Sequence, residues 1–362
     1  MGELPAGTAD GDISYEELQL AARNHGMPLE ALRYDVTPVG LHYLLIHYDI
    51  PSVDAAAWRL RVGGLVEEEL SLGLDDVLAL PSVTRRVTME CAGNGRARLR
   101  PRTISQPWLH EAIGTGEWTG TPLAGVLEAA GTSRDAREVV FTGLDRGVEG
   151  GVDQHYERSL PVEDAQSDGP LLVHALNGTP LPPQHGAPLR LLVPGWYGMA
   201  SVKWLQAITA VAEPFEGYQQ TRAYRLRQDS EERGEPLNRI AVRSLMAPPG
   251  VPDFLTRRRF VERGTQEITG RAWSGHGAIT AVEVSTDGGR TWADATITPP
   301  DGAFAWTGWS FRWDAETPGE HELCCRATDA TGNTQPLESA WNLGGYAVNG
   351  VQRVPVTVRN HS

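Results

Sequence analysis

The chain has 362 residues, of which 40% are hydrophobic and 22% are charged, as in many soluble globular proteins, and this length allows two or three compact domains. Lys and Arg number 32 against 46 Asp and Glu, so the formal net charge is -14 at pH 7. This charge opposes attraction to phosphate backbones and to anionic membrane surfaces, so we expect neither nucleic acid nor a membrane as a partner.

The N-terminal stretch MGELPAGTADGDISYEEL has acidic residues where a signal peptide needs a basic and then an apolar region. No apolar run reaches the roughly 18 residues of a membrane span. We therefore predict a cytoplasmic location, unless an export segment has been removed. Cys91, Cys324 and Cys325 form an odd set with two adjacent members, which favours reduced thiols over a disulfide framework or a CxxC zinc site.

The first half of the chain predicts alternating helices and strands. In chain order these are short helical pieces over 14–33, strands in LHYLLIHYDIP and AAAWRLRVGGLV, a short helix in LSLGLDDVLALP, a strand over 83–91 that ends in AGNG, a helix in TPLAGVLEAAG closed by Gly131, and strands in REVVFTGLD, GPLLVHALNGTPLP and APLRLLVPGWYG. The pattern indicates an α+β domain, and the 40 Gly and 25 Pro predict much irregular loop, where binding sites tend to lie.

From Glu213 to about Asn238 the chain is polar and charged, which predicts a connecting segment. Beyond it, alternating runs of strand length are separated by turn sequences such as Asp287-Gly288-Gly289. Several short strands at this spacing predict an immunoglobulin-like β-sandwich. We therefore divide the chain into a domain over 1–237 and a second domain over 238–362.

Cys91 stands at the end of a predicted strand, before two glycines and a run of arginines. A cysteine at a strand end is most often a small buried hydrophobe. Here the glycines expose backbone N–H groups, and Arg96, Arg98, Arg100 and Arg102 are expected to favour the thiolate. The residues leave several interpretations open: a Cys-His hydrolase nucleophile, a thiolate on a metal whose other ligands come from a cofactor, or an inert thiol in a binding protein. A four-ligand zinc site lacks thiolates near Cys91.

A series of motifs resembles, in the same order, the sulfite oxidase family of molybdenum enzymes. These motifs are ECAGNGRARLRPR, GEWTGTPLAGVL, FTGLD, YERSLP, NGTPLPPQHGAPLRLLVPGWYGMASVKWL and WNLGGYAVNGVQRV, and the resemblance runs from about His47 to the C-terminus. It implies a molybdopterin-binding α+β domain followed by a β-sandwich dimerisation domain, and hence a homodimer. It also implies that Cys91 is the protein ligand of molybdenum.

The resemblance further implies a set of site residues. Those predicted to bind the cofactor are His47, Asp145, His185, Arg190, Ser201 and Lys203, together with Cys91. Arg96 and Trp108 are predicted to line the substrate pocket, where a guanidinium suits an oxyanion. Tyr224 is a weaker candidate, because the motif around it matches loosely, and it is not included in the predicted site.

Two positions depart from the family pattern, since Leu45 and Gly344 stand where the sulfite-oxidising relatives have arginines. Because a charge-assisted hydrogen bond contributes roughly 1.5–3 kcal/mol, their loss weakens oxyanion binding unless Arg98 or another arginine compensates. The predicted reaction is oxidation of sulfite to sulfate by oxygen-atom transfer, and the alternative is a related reaction of nitrate or of S- or N-oxides. No haem-binding segment is recognised, so we expect an external electron acceptor such as a cytochrome or dioxygen.

Overall fold

A computed structural model of the chain describes residues 8, 9 and 11–360. The α-helices are α1 (Tyr15–Arg23), α2 (Leu74–Leu78), α3 (Leu123–Ala130) and α4 (Val162–Ala165). Single 3-10 turns lie at Leu29–Arg33, Val39–Leu41, Arg96–Arg98, Pro183–His185 and Gly198–Ala200, and a π-helical turn lies at Gln219–Ala223. None of the described helices has the length and apolar composition needed to cross a membrane.

Strands predominate in both halves of the chain. Up to residue 237 they are β1 (Thr8–Ala9), β2 (Leu60–Gly64), β3 (Leu70–Leu72), β4 (Val83–Glu90), β5 (Arg102–Thr103), β6 (Ile113–Pro122), β7 (Glu138–Glu149), β8 (Val152–Pro161), β9 (Leu171–Leu176), β10 (Thr179–Pro180), β11 (Arg190–Leu192), β12 (Leu205–Val211), β13 (Arg225–Leu226) and β14 (Glu235–Pro236). Beyond it they are β15 (Arg243–Met246), β16 (Val251–Pro252), β17 (Arg259–Glu262), β18 (Gly264–Trp273), β19 (Ile279–Ser285), β20 (Ala293–Asp294), β21 (Thr296–Thr298), β22 (Thr307–Ala315), β23 (Gly319–Asp329) and β24 (Gln352–Arg359).

Two helices show how the sequence fixes their ends. At the start of α1, Ser14 Oγ accepts from Glu17 N–H (3.3 Å) while the Glu17 carboxylate accepts from Ser14 N–H (2.8 Å), a reciprocal cap that satisfies two otherwise unpaired donors. Helix α3 ends at Gly131, whose φ of 67° lies in the left-handed region. The predicted glycine stop of this helix is confirmed, because only glycine enters that region without steric cost.

Two sheets organise the first half of the chain. One has the order β3-β2-β12-β7-β8, with β12 parallel to β2 and antiparallel to β7. The other has the order β10-β9-β6-β4, and β11 also pairs with β9. In the second sheet β4 pairs with β6 up to the Glu90–Ile113 pair, after which Cys91 N–H donates to the Ala112 carbonyl (2.9 Å). The predicted strand over 83–91 is therefore confirmed, and it delivers Cys91 to the end of the sheet.

The prediction of a strand in LHYLLIHYDIP is wrong. Leu41 ends the 3-10 turn Val39–Leu41, and residues 42–51 are irregular apart from one bridge between His25 and Leu44. Side chains hydrogen-bond to backbone groups that would otherwise pair with a neighbouring strand. Asn24 Oδ1 accepts from Ile46 N–H (2.7 Å), and Lys203 Nζ donates to the Leu45 carbonyl (2.8 Å). Tertiary contacts therefore override the local β propensity of this segment.

Beyond residue 238 two sheets lie over one core. Their strand orders are β15-β18-β22-β21 and β16-β17-β24-β23-β19-β20. Trp309 and Trp313 of the first sheet and Leu323 and Val356 of the second belong to the same buried cluster. The predicted run of alternating strands is thus confirmed as two sheets that share a core.

The second half also packs directly on the first. Trp273 and Trp306 belong to the same buried cluster as Trp196 and Tyr197 of the first half. Trp341 Nε1 donates to the Pro101 carbonyl (2.8 Å), and the Thr103 hydroxyl donates to the Leu343 carbonyl (2.6 Å). The segment around residues 341–348 is therefore held against the loop that follows Cys91.

Candidate active site

Cys91 lies between two adjoining cavities. The first, which we call the inner cavity, is lined by His42, Tyr43, Leu44, Leu45, His47, Met89, Cys91, Ala92, Asp145, Tyr156, His185, Arg190, Gly198, Met199, Ser201, Lys203 and Tyr224. The second, the outer pocket, is lined by Leu20, Leu45, Ile46, His47, Tyr48, Cys91, Gly93, Arg96, Ile104, Ser105, Gln106, Trp108, Val148, Glu149, Gln219, Ala223, Tyr224 and Tyr346. The structure thus brings the nine predicted site residues around two connected spaces that meet at Cys91.

The environment of the Cys91 sulfur combines burial with directed donors. Burial raises the pKa of the Cys91 thiol, while the charge of Arg96, the Gly93 backbone N–H and the Trp108 indole N–H act in the opposite direction. The indole nitrogen of Trp108 is buried without an oxygen or nitrogen partner among the described residues. A positive charge and N–H groups near a buried sulfur suit a thiolate that is neutralised by a soft metal ion.

The expectation that four arginines surround Cys91 is wrong. Arg102 forms a buried ion pair with Glu17, and Arg100 donates to the Ala97 and Leu99 carbonyls. Arg98 lines neither the inner cavity nor the outer pocket within the part of the chain that the structure describes. Successive residues of the 3-10 turn point in different directions, so spacing along the sequence did not reveal that Arg96 alone of the four reaches the site.

The inner cavity collects the seven residues predicted to bind the cofactor. They are His47, Cys91, Asp145, His185, Arg190, Ser201 and Lys203. They come from separate parts of the chain, because β4 delivers Cys91, β7 delivers Asp145 and β11 delivers Arg190. Sheet pairing therefore assembles a site that no single segment contains.

Two cations and one carboxylate give the inner cavity an excess of positive charge. The Arg190 guanidinium donates to the His185 and Ser201 carbonyls, each at 3.0 Å, and burial lowers its pKa to about 10, so it stays charged at neutral pH. Burial and the Arg190 charge lower the pKa of Lys203, and Asp145 opposes this effect. Such a cavity suits an anionic group such as a phosphate.

Asp145 has an oxygen in the inner cavity that is free to accept a hydrogen bond from a ligand. Its Oδ1 is buried and has no hydrogen-bond partner among the described residues. Burial raises the pKa of this carboxyl, and the Lys203 charge opposes the rise. Because an unpaired buried carboxylate oxygen is costly, the position fits a ligand that carries N–H groups, as a pterin does.

The predicted histidines of the site are neutral. Burial lowers the pKa of His47 to about 3, and the charges of Lys203, Arg23 and Arg96 add to the effect. Burial also lowers the pKa of His185 far below its usual value, and His42 and Arg190 lower it further. These imidazoles can therefore exchange hydrogen bonds with a ligand but supply no charge at neutral pH.

Arg96 is held at the wall of the outer pocket. Its Nη1 donates to the Ser105 hydroxyl (2.5 Å) and its Nε to the Gly345 carbonyl (3.5 Å), and its guanidinium carbon lies 5.0 Å from the centre of the Tyr346 ring. Trp108 lies in the same pocket with its indole N–H unpaired, as described above. Both residues predicted to meet the substrate therefore line one space beside Cys91.

Tyr224 and Tyr346 are site residues that the sequence prediction did not include. The Tyr224 hydroxyl and His47 Nε2 are joined by a hydrogen bond of 2.5 Å, and Tyr224 lines both cavities. The ring centres of Tyr224 and Tyr346 are 5.2 Å apart. The motif TRAYRL gave a loose indication of Tyr224, whereas Tyr346 enters the pocket only because the second half of the chain folds back onto the first.

The two departures from the family pattern lie at this site. Leu45 lines both cavities. At Gly344 a Cβ would lie 2.3 Å from Cε2 of Tyr346, so the aromatic ring takes the space in which a side chain would begin. Arg98, which was named as one arginine that would compensate for them, lines neither cavity within the described residues.

Family comparisons agree with this geometry. Residues 47–219 match the family described as oxidoreductase molybdopterin binding domain, and residues 235–359 match the Mo-co oxidoreductase dimerisation domain. Within the described residues no group of three or more His, Cys, Asp or Glu side chains could hold a metal ion. The residues of the inner cavity fit a cofactor that carries a phosphate and N–H groups.

Known relatives match nearly the whole chain. Mitochondrial sulfite oxidase of Mus musculus is 34% identical over an alignment of 374 positions, which covers 97% of this chain and 67% of that protein. Nitrate reductase [NADH] of Solanum lycopersicum is 30% identical over 97% of this chain and 42% of its own length. The chain thus spans from less than half to about two thirds of these relatives.

A solved structure has the same fold. The sulfane dehydrogenase SoxCD from Paracoccus pantotrophus superposes with a TM-score of 0.79 at 26% sequence identity, covering 99% of this chain and 95% of that one. The motif order, the site built around Cys91 and the two domain matches lead to one conclusion. The chain belongs to the sulfite oxidase family of molybdopterin-binding oxidoreductases, and it is a molybdoenzyme.

Proposed function

We propose that this molybdoenzyme oxidises sulfite to sulfate and passes the electrons to an external acceptor. The observation that carries the proposal is the position of Cys91 where the inner cavity, with its cationic wall, meets the outer pocket that holds Arg96 and Trp108. This arrangement allows a cofactor on one side of the sulfur and a small oxyanion on the other. The similarity to sulfite oxidase of Mus musculus supports the choice of substrate.

Cys91 would ligate the metal, and the rest of the inner cavity would hold the pterin and its phosphate. Arg190, Lys203 and His185 suit the phosphate, because two of them are cations and the third is a neutral hydrogen-bonding group. The unpaired Oδ1 of Asp145 suits an N–H of the pterin ring. When bound, the molybdenum cofactor supplies two-electron redox chemistry coupled to oxygen-atom transfer.

The outer pocket would position the substrate. Arg96 presents a guanidinium whose Nη1 and Nε are already fixed by Ser105 and Gly345, so its orientation is set before the substrate arrives. The Tyr224 hydroxyl, fixed by His47, lies in the same pocket as a neutral hydrogen-bonding group, because burial raises its pKa well above the usual value. A haem group in the chain is not part of this proposal, and a cytochrome or dioxygen would take the electrons.

The alternative is a molybdenum reaction of nitrate or of an S- or N-oxide. Leu45 and Gly344 favour it, since both lack the cationic groups that hold sulfite in the relatives. The similarity to nitrate reductase of Solanum lycopersicum supports the same alternative.

The second half of the chain would mediate the association of two chains. We infer a division at 237/238, an immunoglobulin-like arrangement of the two sheets that follow, and a homodimer formed through this half. The match of residues 235–359 to a dimerisation domain supports the dimer. A cytoplasmic location stays a prediction from composition.

The proposal is tested on protein from a host that makes the molybdenum cofactor. We expect one molybdenum per chain, sulfite-dependent reduction of ferricyanide, and loss of both in Cys91→Ser. Cys324→Ser is the matched control, because Cys324 is also a buried thiol but lies in β23, within the second half. A loaded enzyme that turns over nitrate or an S-oxide but not sulfite would replace the proposal by its alternative. Unchanged molybdenum content in Cys91→Ser would remove the role assigned to the sulfur.

A further inference from the structure

The outer pocket carries almost no net charge. Among the described residues that line it, the charged side chains are Arg96 and Glu149, of opposite sign, and His47 is neutral. The Glu149 carboxylate accepts from Tyr48 (3.2 Å) and Gln219 (2.6 Å), so it is held beside the pocket. A dianion that enters such a pocket loses hydration without two cations to replace it, which is unfavourable.

The Arg96 guanidinium already makes hydrogen bonds within the protein with part of its donors. Arg96 already donates through Nη1 and Nε and stacks on Tyr346, which leaves Nη2 without a hydrogen bond among the described residues. At the two positions where the relatives add arginines, this chain has Leu45 and a glycine whose side-chain space the Tyr346 ring fills. One cationic edge suits a monoanion better than a dianion.

Apolar and aromatic side chains form part of the pocket wall and continue to the surface, beside polar side chains such as Ser105, Gln106 and Gln219. Trp108, Tyr224 and Tyr346 lie near Cys91, and Leu45 lines the pocket beside them. At the mouth Ile104 is 42% exposed and Val148 is 70% exposed. The pocket has a volume of about 280 Å³, which leaves space beyond a small oxyanion. The apolar part of the wall, from Trp108 and Tyr346 to Ile104 and Val148, favours a ligand with an apolar substituent.

We propose that this site oxidises organic sulfinates, R–SO₂⁻ with an apolar R group, to sulfonates, with a higher kcat/KM than it has for sulfite. The inference rests on the proposed function, because a sulfinate presents the same sulfur lone pair as sulfite. It differs in carrying one negative charge in place of two and an organic group that lies on the apolar wall.

The reaction balances with water and a one-electron acceptor of the ferricyanide type. One S–O bond forms with an oxygen that comes from water, and two protons are released. Two electrons leave sulfur and reduce two equivalents of the acceptor. The R–S bond stays intact, so the sulfonate is the only sulfur product.

The first test compares benzenesulfinate with sulfite on the molybdenum-loaded enzyme, with ferricyanide as the acceptor. We expect kcat/KM for benzenesulfinate to be at least about tenfold higher, because the ring buries apolar surface against Tyr346 and its neighbours. A second readout is independent of turnover: isothermal titration calorimetry should show benzenesulfonate binding the loaded enzyme more tightly than sulfate, also by about tenfold or more.

Two variants separate charge from apolar contact. Leu45→Arg restores a cation and should raise kcat/KM for sulfite at least about tenfold, with Leu78→Arg on the exposed face of α2 as the matched control. Tyr346→Ala should lower kcat/KM for benzenesulfinate about fivefold more than for sulfite, because it removes an aromatic contact. Molybdenum content is measured for each variant, so that loss of cofactor is distinguished from loss of substrate binding.

The outcomes distinguish a failure of the sulfinate inference from a failure of the proposed function. If the loaded enzyme oxidises sulfite but prefers it to benzenesulfinate, and sulfate binds as tightly as benzenesulfonate, the inference is wrong and the proposed function stands. If it oxidises neither compound, the proposed function itself fails.

Discussion

At the scale of single residues, His42 illustrates how burial sets a charge state next to the site. Its ring is stacked on Tyr43, and its Nδ1 lies 3.1 Å from the Tyr43 carbonyl oxygen. Its Nε2 is buried with no partner among the described residues. Burial lowers the pKa of His42 to about 4, the Arg190 charge lowers it further, and the hydrogen bond to Tyr43 opposes the change. The folded protein therefore holds this imidazole neutral.

This charge state predicts a pH dependence of stability. The unfolded chain takes up a proton at His42 near pH 6.5, whereas the folded chain takes it up only near pH 4. The contribution of neutral His42 to the free energy of unfolding is therefore fully present above about pH 6.5. It falls as the pH drops from there towards 4, by about 1.4 kcal/mol per pH unit for this one proton. The free energy of unfolding, measured with urea, should decrease from pH 7 to pH 5, and this decrease should be about 2 kcal/mol smaller in His42→Gln than in the wild type. His276→Gln, at an exposed loop position, is the control and should keep the wild-type loss.

At the scale of elements, the strand that delivers Cys91 is anchored to the second half of the chain. Glu90, the last residue of β4, forms an ion pair with Arg243 of β15 (2.6 Å) and accepts from Trp273 Nε1 of β18 (2.8 Å). The side chains of Glu90 and Arg243 are each 2% exposed. Asn94 Nδ2 also donates to the Glu90 carboxylate (3.0 Å), and this bond fixes the turn after Cys91. A buried network of this kind positions the sulfur relative to both halves of the chain.

Removing one partner of the Glu90–Arg243 ion pair should destabilise the folded protein. We expect Arg243→Met to lower the free energy of unfolding by about 3–5 kcal/mol, because the Glu90 carboxylate stays buried without its cation. The double variant Arg243→Met/Glu90→Gln should recover part of that loss, since no uncompensated charge remains. Arg326→Met is the control, because the Arg326–Glu283 pair (2.7 Å) has side chains about one quarter exposed and such pairs contribute about 0–1 kcal/mol. Equal losses in Arg243→Met and Arg326→Met would contradict the buried-charge explanation.

At the scale of the whole molecule, the second half presents an apolar surface. Phe254 and Leu255 are 85% and 84% exposed, and Val251 on the neighbouring strand β16 is 59% exposed. All three lie within residues 235–359, the part that matches a dimerisation domain. Large apolar side chains exposed together are typical of interfaces between chains.

This surface predicts the effect of two substitutions on assembly. We expect the wild type to behave as a dimer in size-exclusion chromatography with light scattering, and Phe254→Ser/Leu255→Ser to shift it towards the monomer, because the apolar contacts at the interface are lost. Tyr15→Ser removes a side chain that is 71% exposed in the first half and should leave the dimer unchanged. A dimer that survives the double variant would place the interface on another surface of the second half.

The sequence predicted those parts of the fold that depend on local pattern. Strand β4, helix α3 with its stop at Gly131, and the strands of the second half follow from periodicity and turn residues, which neighbours along the chain determine. The predicted elements did not include β6, in which a Cβ at Gly116 would contact Leu176 and a Cβ at Gly120 would contact the Leu172 carbonyl. Glycine is needed there because another strand approaches closely, and such an approach is not visible in a single segment.

The sequence by itself determined the family, the sulfur at the centre of the site and seven of the residues that line the inner cavity, because ordered motifs carry this information without knowledge of contacts. Only the tertiary structure decided which arginine reaches the outer pocket, that Tyr224 meets His47, and that Tyr346 covers the position of Gly344. The first two depend on contacts between residues more than a hundred positions apart, Arg96 with Gly345 and Tyr224 with His47. Such contacts are set by tertiary packing, within the first half for Tyr224 and His47 and between the halves for Arg96 and Gly345, and a pattern along the sequence does not encode them in a readable form.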